Sequence, residues 1–217
     1  MSAVPDLDRR SDSAVHSPDR NSLTLQPQLT HLRGELLARV ATAIPRWERR
    51  ARQDVSDQEI GGGRHADYAN ANVLRRIISE HGWPDARLVG EDGARAAYLI
   101  ALHADAYLIV QQVADRAMHG AVQRGAAPVS EWVRLHDRHL LNSGVPQLFG
   151  TQYRLGADGW ELQPVREPEM LDARRAGVGL CPAAEALTSL RRRLSTQPPR
   201  AVPRHDDPPT ANLTVAA

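Results

Sequence analysis

Lysine is absent from this chain; all 27 of its basic side chains are arginine. Alanine, glycine and proline are abundant beside it, so the arginine usage reads first as coding bias in a GC-rich bacterial genome. The competing reading is arginine chosen for bidentate contacts to anions. Cysteine is nearly absent too. Cys181 stands alone, so no internal disulfide forms, which fits a reducing cytoplasm. Pro182 follows it, and no His or Asn lies close in sequence, so a catalytic thiol is not expected. Charge of one sign is missing: the net value is +1, and no global field demands a nucleic acid or a membrane surface. Long apolar runs are missing as well. The most apolar stretch, 94–122, is broken by His103, Asp105, Gln111, Gln112, Asp115 and Arg116, whereas a membrane span needs about 20 mostly apolar residues. The first residues carry Asp6, Asp8, Arg9 and Arg10 and no apolar run, so a secretory signal is not expected either.

The residues that are present divide the chain into three parts. Residues 1–27 are rich in Ser, Asp, Arg and Pro, and 196–217 hold Pro198, Pro199, Pro203, Pro208 and Pro209. Neither stretch can bury enough apolar surface to offset its ordering entropy, so both are expected to be disordered tails. Between them, 28–195 is expected to form one compact, mainly α-helical domain with one β-hairpin at about 146–165. Leu29, Leu32, Leu36, Val40, Ile44 and Trp47 recur at three- and four-residue steps and predict a first helix, kinked or broken at Pro45. Gly61-Gly62-Gly63 reads as a flexible break. A helix is expected from Asp67, its N-cap, to Glu80, stopped by Gly82 and Pro84, with Trp83 packed on the core. The stretch 91–124 is too long for one helix of a small domain and is expected to bend at His103-Ala104-Asp105, with Asp105 capping the second segment. Tyr107, Val110, Ala114, Ala117, Met118 and Ala121 form that segment's buried stripe. Ser130 is expected to cap a helix that reaches Asn142 before Gly144, with Trp132 in the core. The period then changes around Gly156-Ala157-Asp158-Gly159, a hairpin signature, and two short helices over about 168–176 and 182–194 close the domain.

The densest chemistry runs from His136-Asp137-Arg138-His139 through Gly144 to Gln147-Leu148-Phe149-Gly150-Thr151-Gln152. Buried polar groups at this density need partners, so they form a satisfied network or a site. At about 100° per helical residue His136 points into the apolar face, with Asp137 on its flank. His136 and His139 lack a third ligand in a helical zinc pattern, and no metal is assigned. Gln147 and Gln152 are five apart and face opposite sides of a regular strand, so they share a site only across a bend. Thr151 lies on the Gln147 face. Asp172, Arg174 and Arg175 near a helix end either clamp an anion or form an internal salt bridge, for example with Asp137. His103 and Asp105 form a second pair, suited to acid–base work only if the helix bends there, and otherwise a core histidine and a cap. Residues 30–52 hold six Arg and two Glu, and Arg191-Arg192-Arg193 adds a basic patch. Without aromatic interleaving or a motif this reads as a solvated face, and a nucleic-acid partner is not expected.

Gly82-Trp83-Pro84, His103-Ala104-Asp105, Asp137-Arg138, Gly144, Gln147 and Gly150-Thr151-Gln152, together with Asp172, Arg174, Arg175 and Gly179-Leu180, resemble an uncharacterised bacterial family, a domain of unknown function common in actinobacteria. That family often has Gln before the His and Tyr before Gly-Thr-Gln; here Leu102 and Phe149 stand in those places, and no phenol is available at the second. The resemblance implies no activity. The residues themselves support a cytoplasmic binding module for a small molecule or a protein, with no cofactor assigned. Its candidate contacts are Arg138, Gln147, Thr151, Gln152, Asp172, Arg174 and Arg175. The alternative is a small-molecule enzyme, such as a hydrolase, with His103 or His136 as base and Asp105 or Asp137 as its orienter. Either way, Asp137, Arg138, Gln147 and Gln152 are expected to converge with His103 and at least one of Asp172, Arg174 and Arg175. Arg138 or Arg175 is expected to find Asp137 or Asp172, because a buried guanidinium without a carboxylate is costly.

Overall fold

The computed structural model describes residues 27–51, 57–156, 159–195 and 214–216. Among these, seven α-helices precede, flank and succeed a small antiparallel sheet: α1 Thr30–Ala51, α2 Asp57–His81, α3 Ala86–Leu102, α4 Leu108–Gln123, α5 Val129–Asn142, α6 Leu171–Gly177 and α7 Ala183–Ser195. The core is where the apolar stripes of α1 to α5 meet. Leu32, Leu36, Val40, Ala43 and Trp47 of α1 pack with Leu74, Ile77 and Ile78 of α2, Val89, Ala97, Tyr98 and Ile100 of α3, Ala114, Met118 and Ala121 of α4, and Leu135 of α5. No described helix is long and apolar enough to cross a membrane. Arginines of the basic first helix are paired within the fold: Arg33 with Asp92, Arg39 with Glu35, and Arg46 with Asp67.

Three expected local features are overruled by packing. Pro45 sits inside α1, which does not break there. The carbonyl it leaves without a donor belongs to Ala41, and both residues are exposed, so water can satisfy the freed group while Ala43 and Trp47 hold the helix to the core. Gly61-Gly62-Gly63 lies within α2 rather than between helices. A Cβ at the buried Gly63 would come 2.9 Å from the Arg46 side chain, so the glycine provides room for α1 to cross α2. Asp67 is therefore a buried mid-helix residue and not an N-cap.

The bend at His103 is present, but Asp105 does not cap the second segment. Tyr107 is the N-cap of α4, with no side-chain hydrogen bond, and Pro128 rather than Ser130 occupies the N-cap of α5. A clear side-chain cap is made by Asp85, which accepts from the N–H groups of Arg87 and Leu88, each at 3.0 Å, at the start of α3. Trp83 is buried at 5% exposure, Trp132 is only half-buried, and Ile44 is 38% exposed.

The hairpin strands are shorter than the alternation suggests: β1 is Gln152–Gly156 and β2 is Gly159–Leu162, paired with Tyr153 opposite Leu162 and Leu155 opposite Trp160. Beyond them an isolated bridge from Gln147 to Val165 keeps the two arms together. A short third strand, β3 Thr214–Ala216, pairs antiparallel with the other edge of β1, giving the order β2-β1-β3. This strand is the described part of the stretch 196–217 that was expected to be disordered. The rest of that stretch, and all of the expected N-terminal tail except Pro27, lie outside the described residues.

Candidate functional site

Helix α5 carries Asp137 and Arg138 side by side, and the roughly 100° between them aims the two side chains at different neighbours. Asp137 is completely buried and meets the loop that leads into β1. Its Oδ1 accepts from the backbone N–H groups of Leu148 (2.8 Å) and Phe149 (3.0 Å). Its Oδ2 accepts from the N–H (2.9 Å) and hydroxyl (2.8 Å) of Thr151. Four uncharged donors converge on one carboxylate. From the other side of the same loop Arg175 donates to the carbonyls of Phe149 (2.6 Å), Gly150 (3.1 Å) and Cys181 (2.6 Å). Arg174 donates to Leu148 O at 2.9 Å and to the carbonyls of Arg166 and Glu167. The loop is held between a carboxylate that takes its N–H groups and two guanidiniums that take its carbonyls.

The two glutamines complete this knot. Gln147 is fully buried; its amide donates to Gln152 O and Gln163 O, both at 3.0 Å, and its carbonyl accepts from Gln152 N at 2.9 Å. Gln152 donates to Arg134 O on α5 at 3.1 Å. The bend that brings the five-apart pair together lies at Gly150, with φ of +62° and Leu171 methyls 3.3 Å from where a Cβ would stand. Asp172 does not join the cluster. It accepts from Ala183 N at 2.9 Å and tethers α6 to the start of α7.

Arg138 turns the other way and forms a bidentate pair with Asp105, through Nε at 2.7 Å and Nη2 at 2.6 Å. Asn142, one turn along α5, donates to Asp105 Oδ1 and to Gln111 Oε1, each at 3.0 Å. Burial alone would raise the Asp105 carboxyl, but the facing guanidinium and these hydrogen bonds outweigh it and pull the carboxyl down to about 2. Asp105 is thus a fixed negative charge at physiological pH. Beside it a cavity of about 320 Å3 opens at the junction of α3 and α4, lined by Arg64, Asp67, His103, Asp105, Ala106 and Tyr107. His103 stacks on Trp47, with ring centroids 4.0 Å apart and planes within 10°. Asp67 accepts from Trp47 Nε1 at 3.1 Å and from Arg46. Tyr107 donates its hydroxyl to Arg64 O at 2.8 Å.

A third arrangement involves His136, whose carboxylate partner is Asp115 on α4, not Asp105 or Asp137. His136 Nδ1 lies 3.0 and 3.2 Å from the two Asp115 oxygens, and Trp132 Nε1 donates to the same carboxylate at 2.9 Å. Trp132 in turn stacks on His119 at 4.5 Å, and Phe149 packs edge-on against Trp132 at 5.8 Å. Burial lowers the pKa of His139 below its ordinary value. Among the described residues no group of three or more His, Cys, Asp or Glu side chains is arranged to hold a metal ion.

The expected single cluster is therefore two, joined through α5. Asp137, Gln147, Thr151, Gln152, Arg174 and Arg175 share the loop knot; His103, Asp105 and Arg138 share the junction. The expected pairing of Asp137 or Asp172 with Arg138 or Arg175 does not occur, because backbone groups of the loop serve as partners for both Asp137 and Arg175. Sequence reasoning missed Arg64, Asp67, Tyr107, Asn142 and Asp115 as site neighbours. Arg64 and Asp67 are three apart on α2, and Arg138 and Asn142 four apart on α5, spacings that share a helix face and could have flagged them.

A family model described as a family of unknown function (DUF6624) matches residues 40–194, which include both clusters and the helices that carry them. No curated protein and no solved structure matches the chain.

Proposed function

We propose that this chain, which belongs to the DUF6624 family, is a small-molecule-binding module whose ligand seats in the cavity at the α3–α4 junction. The observation that carries this reading is that His103, Asp105 and Asp67 line one cavity, while Asp137, Gln147, Thr151, Gln152, Arg174 and Arg175 spend their polar atoms on the loop. A volume of about 320 Å3 suits a small metabolite. The Arg138 clamp keeps Asp105 ionised and positioned, and the Trp47 ring fixes the plane of His103. The exposed Cys181 has no disulfide partner and supports a cytoplasmic setting; the arginine-only basic set supports a GC-rich actinobacterial source. The helical body from 28 to 195 acts as one globular unit in this reading, flanked by tails.

A second reading, a hydrolase-like enzyme, draws on the His136–Asp115 contact. A carboxylate on Nδ1 orients an imidazole for proton transfer at Nε2. Among the described residues no nucleophilic side chain is seen bonded to that imidazole, so binding is the stronger reading. The test is a thermal-shift screen of the full chain against a metabolite panel, repeated with His103→Ala and Asp115→Asn. A ligand that raises the midpoint of the parent and the Asp115 variant but not of the His103 variant supports the junction cavity. A ligand that stabilises the parent and the His103 variant alike sinks it.

A further inference from the structure

The junction cavity has an asymmetry of charge that says what kind of molecule it takes. Two carboxylates line it, but both are occupied by the protein. Asp105 receives two N–H groups from Arg138 and one from Asn142, and Asp67 receives Arg46 and the Trp47 indole. Of the guanidiniums that reach this spot, Arg46 and Arg138 neutralise Asp67 and Asp105, and Arg64 is left over as one uncompensated positive charge. Arg64 is exposed and makes no side-chain ion pair among the described residues; its own carbonyl is the group Tyr107 holds. A cationic ligand would meet this charge and find the carboxylates already taken. An oxyanion would find a guanidinium that needs no partner displaced.

The rim adds a second condition. Tyr107 lines the cavity, and the ring of Tyr68, 55% exposed, rests against it with centroids 5.3 Å apart and planes at 51°. Leu108 and Ile109, next after Tyr107 at the start of α4, are 41% and 71% exposed. Single exposed apolar residues need no explanation, but here two tyrosine rings pack together at the edge of one polar cavity, and two exposed aliphatic residues follow directly in the chain. Resting on the binding reading above, we propose that the ligand is a small amphiphile. Its carboxylate or phosphate head meets Arg64, and its flat apolar body lies on the wall made by Tyr68 and Tyr107.

The test is calorimetric titration of the full chain with four probes of matched size and a bare anion. These are benzoate and phenyl phosphate, which carry both features in two oxyanion forms, benzylamine, benzyl alcohol and inorganic phosphate. One oxyanion-bearing aromatic is expected to bind at least about tenfold more tightly than benzylamine, and benzoate against phenyl phosphate tells which head the site prefers. Arg64→Gln is expected to remove that preference, and Tyr68→Ala to reduce binding of the aromatic oxyanion to that of inorganic phosphate. Both positions are exposed, so both variants fold. Benzylamine binding as well as or better than benzoate and phenyl phosphate, Arg64→Gln leaving the order unchanged, or no probe binding would each overturn the inference. Histidine imidazole resonances monitored in parallel separate the two ideas. If benzylamine or benzyl alcohol moves a resonance that His103→Ala removes, the cavity is a site for another chemistry. If the metabolite panel moves no such resonance, the binding reading itself fails.

Discussion

The loop from Gln147 to Thr151 and the junction from His103 to Tyr107 hold polar side chains at similar density and face α5 from two sides. They differ in where those side chains spend their hydrogen bonds. In the loop each side chain meets backbone: Asp137 takes the N–H groups of Leu148, Phe149 and Thr151, Arg175 takes the carbonyls of Phe149 and Gly150, and Gln147 stands in for a strand partner. Such an arrangement lets a tight, irregular segment be buried at all, since unpaired backbone groups there would each cost a lost hydrogen bond. In the junction the carboxylates meet other side chains instead, as Asp105 with Arg138 and Asp67 with Arg46, and one side of the group opens on a cavity. A cluster that satisfies backbone is a fastening, whereas one whose carboxylates are paired with side chains and which opens on one side has the form that the proposed binding role requires. The identity of the residues does not separate the two cases; whether their hydrogen bonds go to backbone or to other side chains does.

The comparison breaks most sharply at Asp137. Asp137→Ala leaves two buried N–H groups, the part-buried N–H of Leu148 and a buried hydroxyl without this acceptor, at about 1–3 kcal/mol each. The expected loss is at least about 4 kcal/mol, a large part of the stability of an ordinary domain, measured by urea denaturation. If Asp137→Ala instead unfolds at the parent's midpoint and only affects ligand binding, the loop is the receptor and the assignment is reversed. Trp83→Ala tests the apolar core that both clusters lean on. Burial at 5% exposure sets the expected cost at about 3–5 kcal/mol, and the half-buried Trp132→Ala should cost clearly less.

Asp105 sharpens the comparison through pH. Its folded carboxyl, at about 2, lies below the ordinary value of 3.8, so its ionised form stabilises the fold. That stabilisation is complete above about pH 4 and is lost as pH falls toward 2; at about 1.4 kcal/mol per unit it amounts to about 2.5 kcal/mol. Asp105→Asn is expected to lower stability by this amount at neutral pH and to flatten the acid limb of a stability–pH curve between about pH 4 and 2. An unchanged acid limb would mean that the Arg138 pair contributes nothing. The smallest stability effect belongs to the rim. Tyr68→Ala is expected to shift stability by no more than about 0.5 kcal/mol, as exposed positions do, while weakening the binding of aromatic oxyanions. A loss of several kcal/mol would show that Tyr68 is a structural residue.

Apolar spacing and turn chemistry in the sequence were enough to determine the mainly helical class, the stripe Leu32-Leu36-Val40-Trp47, the stop at Gly82-Trp83-Pro84, the bend at His103, the end of α5 at Asn142 and the hairpin about Gly156–Gly159. These signals work because period and backbone preference are properties of short segments. They also picked out His103, Asp105, Asp137, Arg138, Gln147, Thr151, Gln152 and Arg175 as chemically dense. Tertiary structure alone decided how those residues divide. The 100° between Asp137 and Arg138 sends one to the loop and the other to Asp105. Gly63 lets α1 cross α2, so Arg46 and Trp47 reach Asp67, and α4 brings Asp115 under His136. Helical runs through Pro45 and Gly61-Gly62-Gly63 survive for the same reason: packing on the core outweighs local propensities of about 1 kcal/mol for each glycine and about 3 for proline. A side chain's partner depends on which elements meet, and that is fixed by the burial of many residues far apart in the chain, not by those beside it.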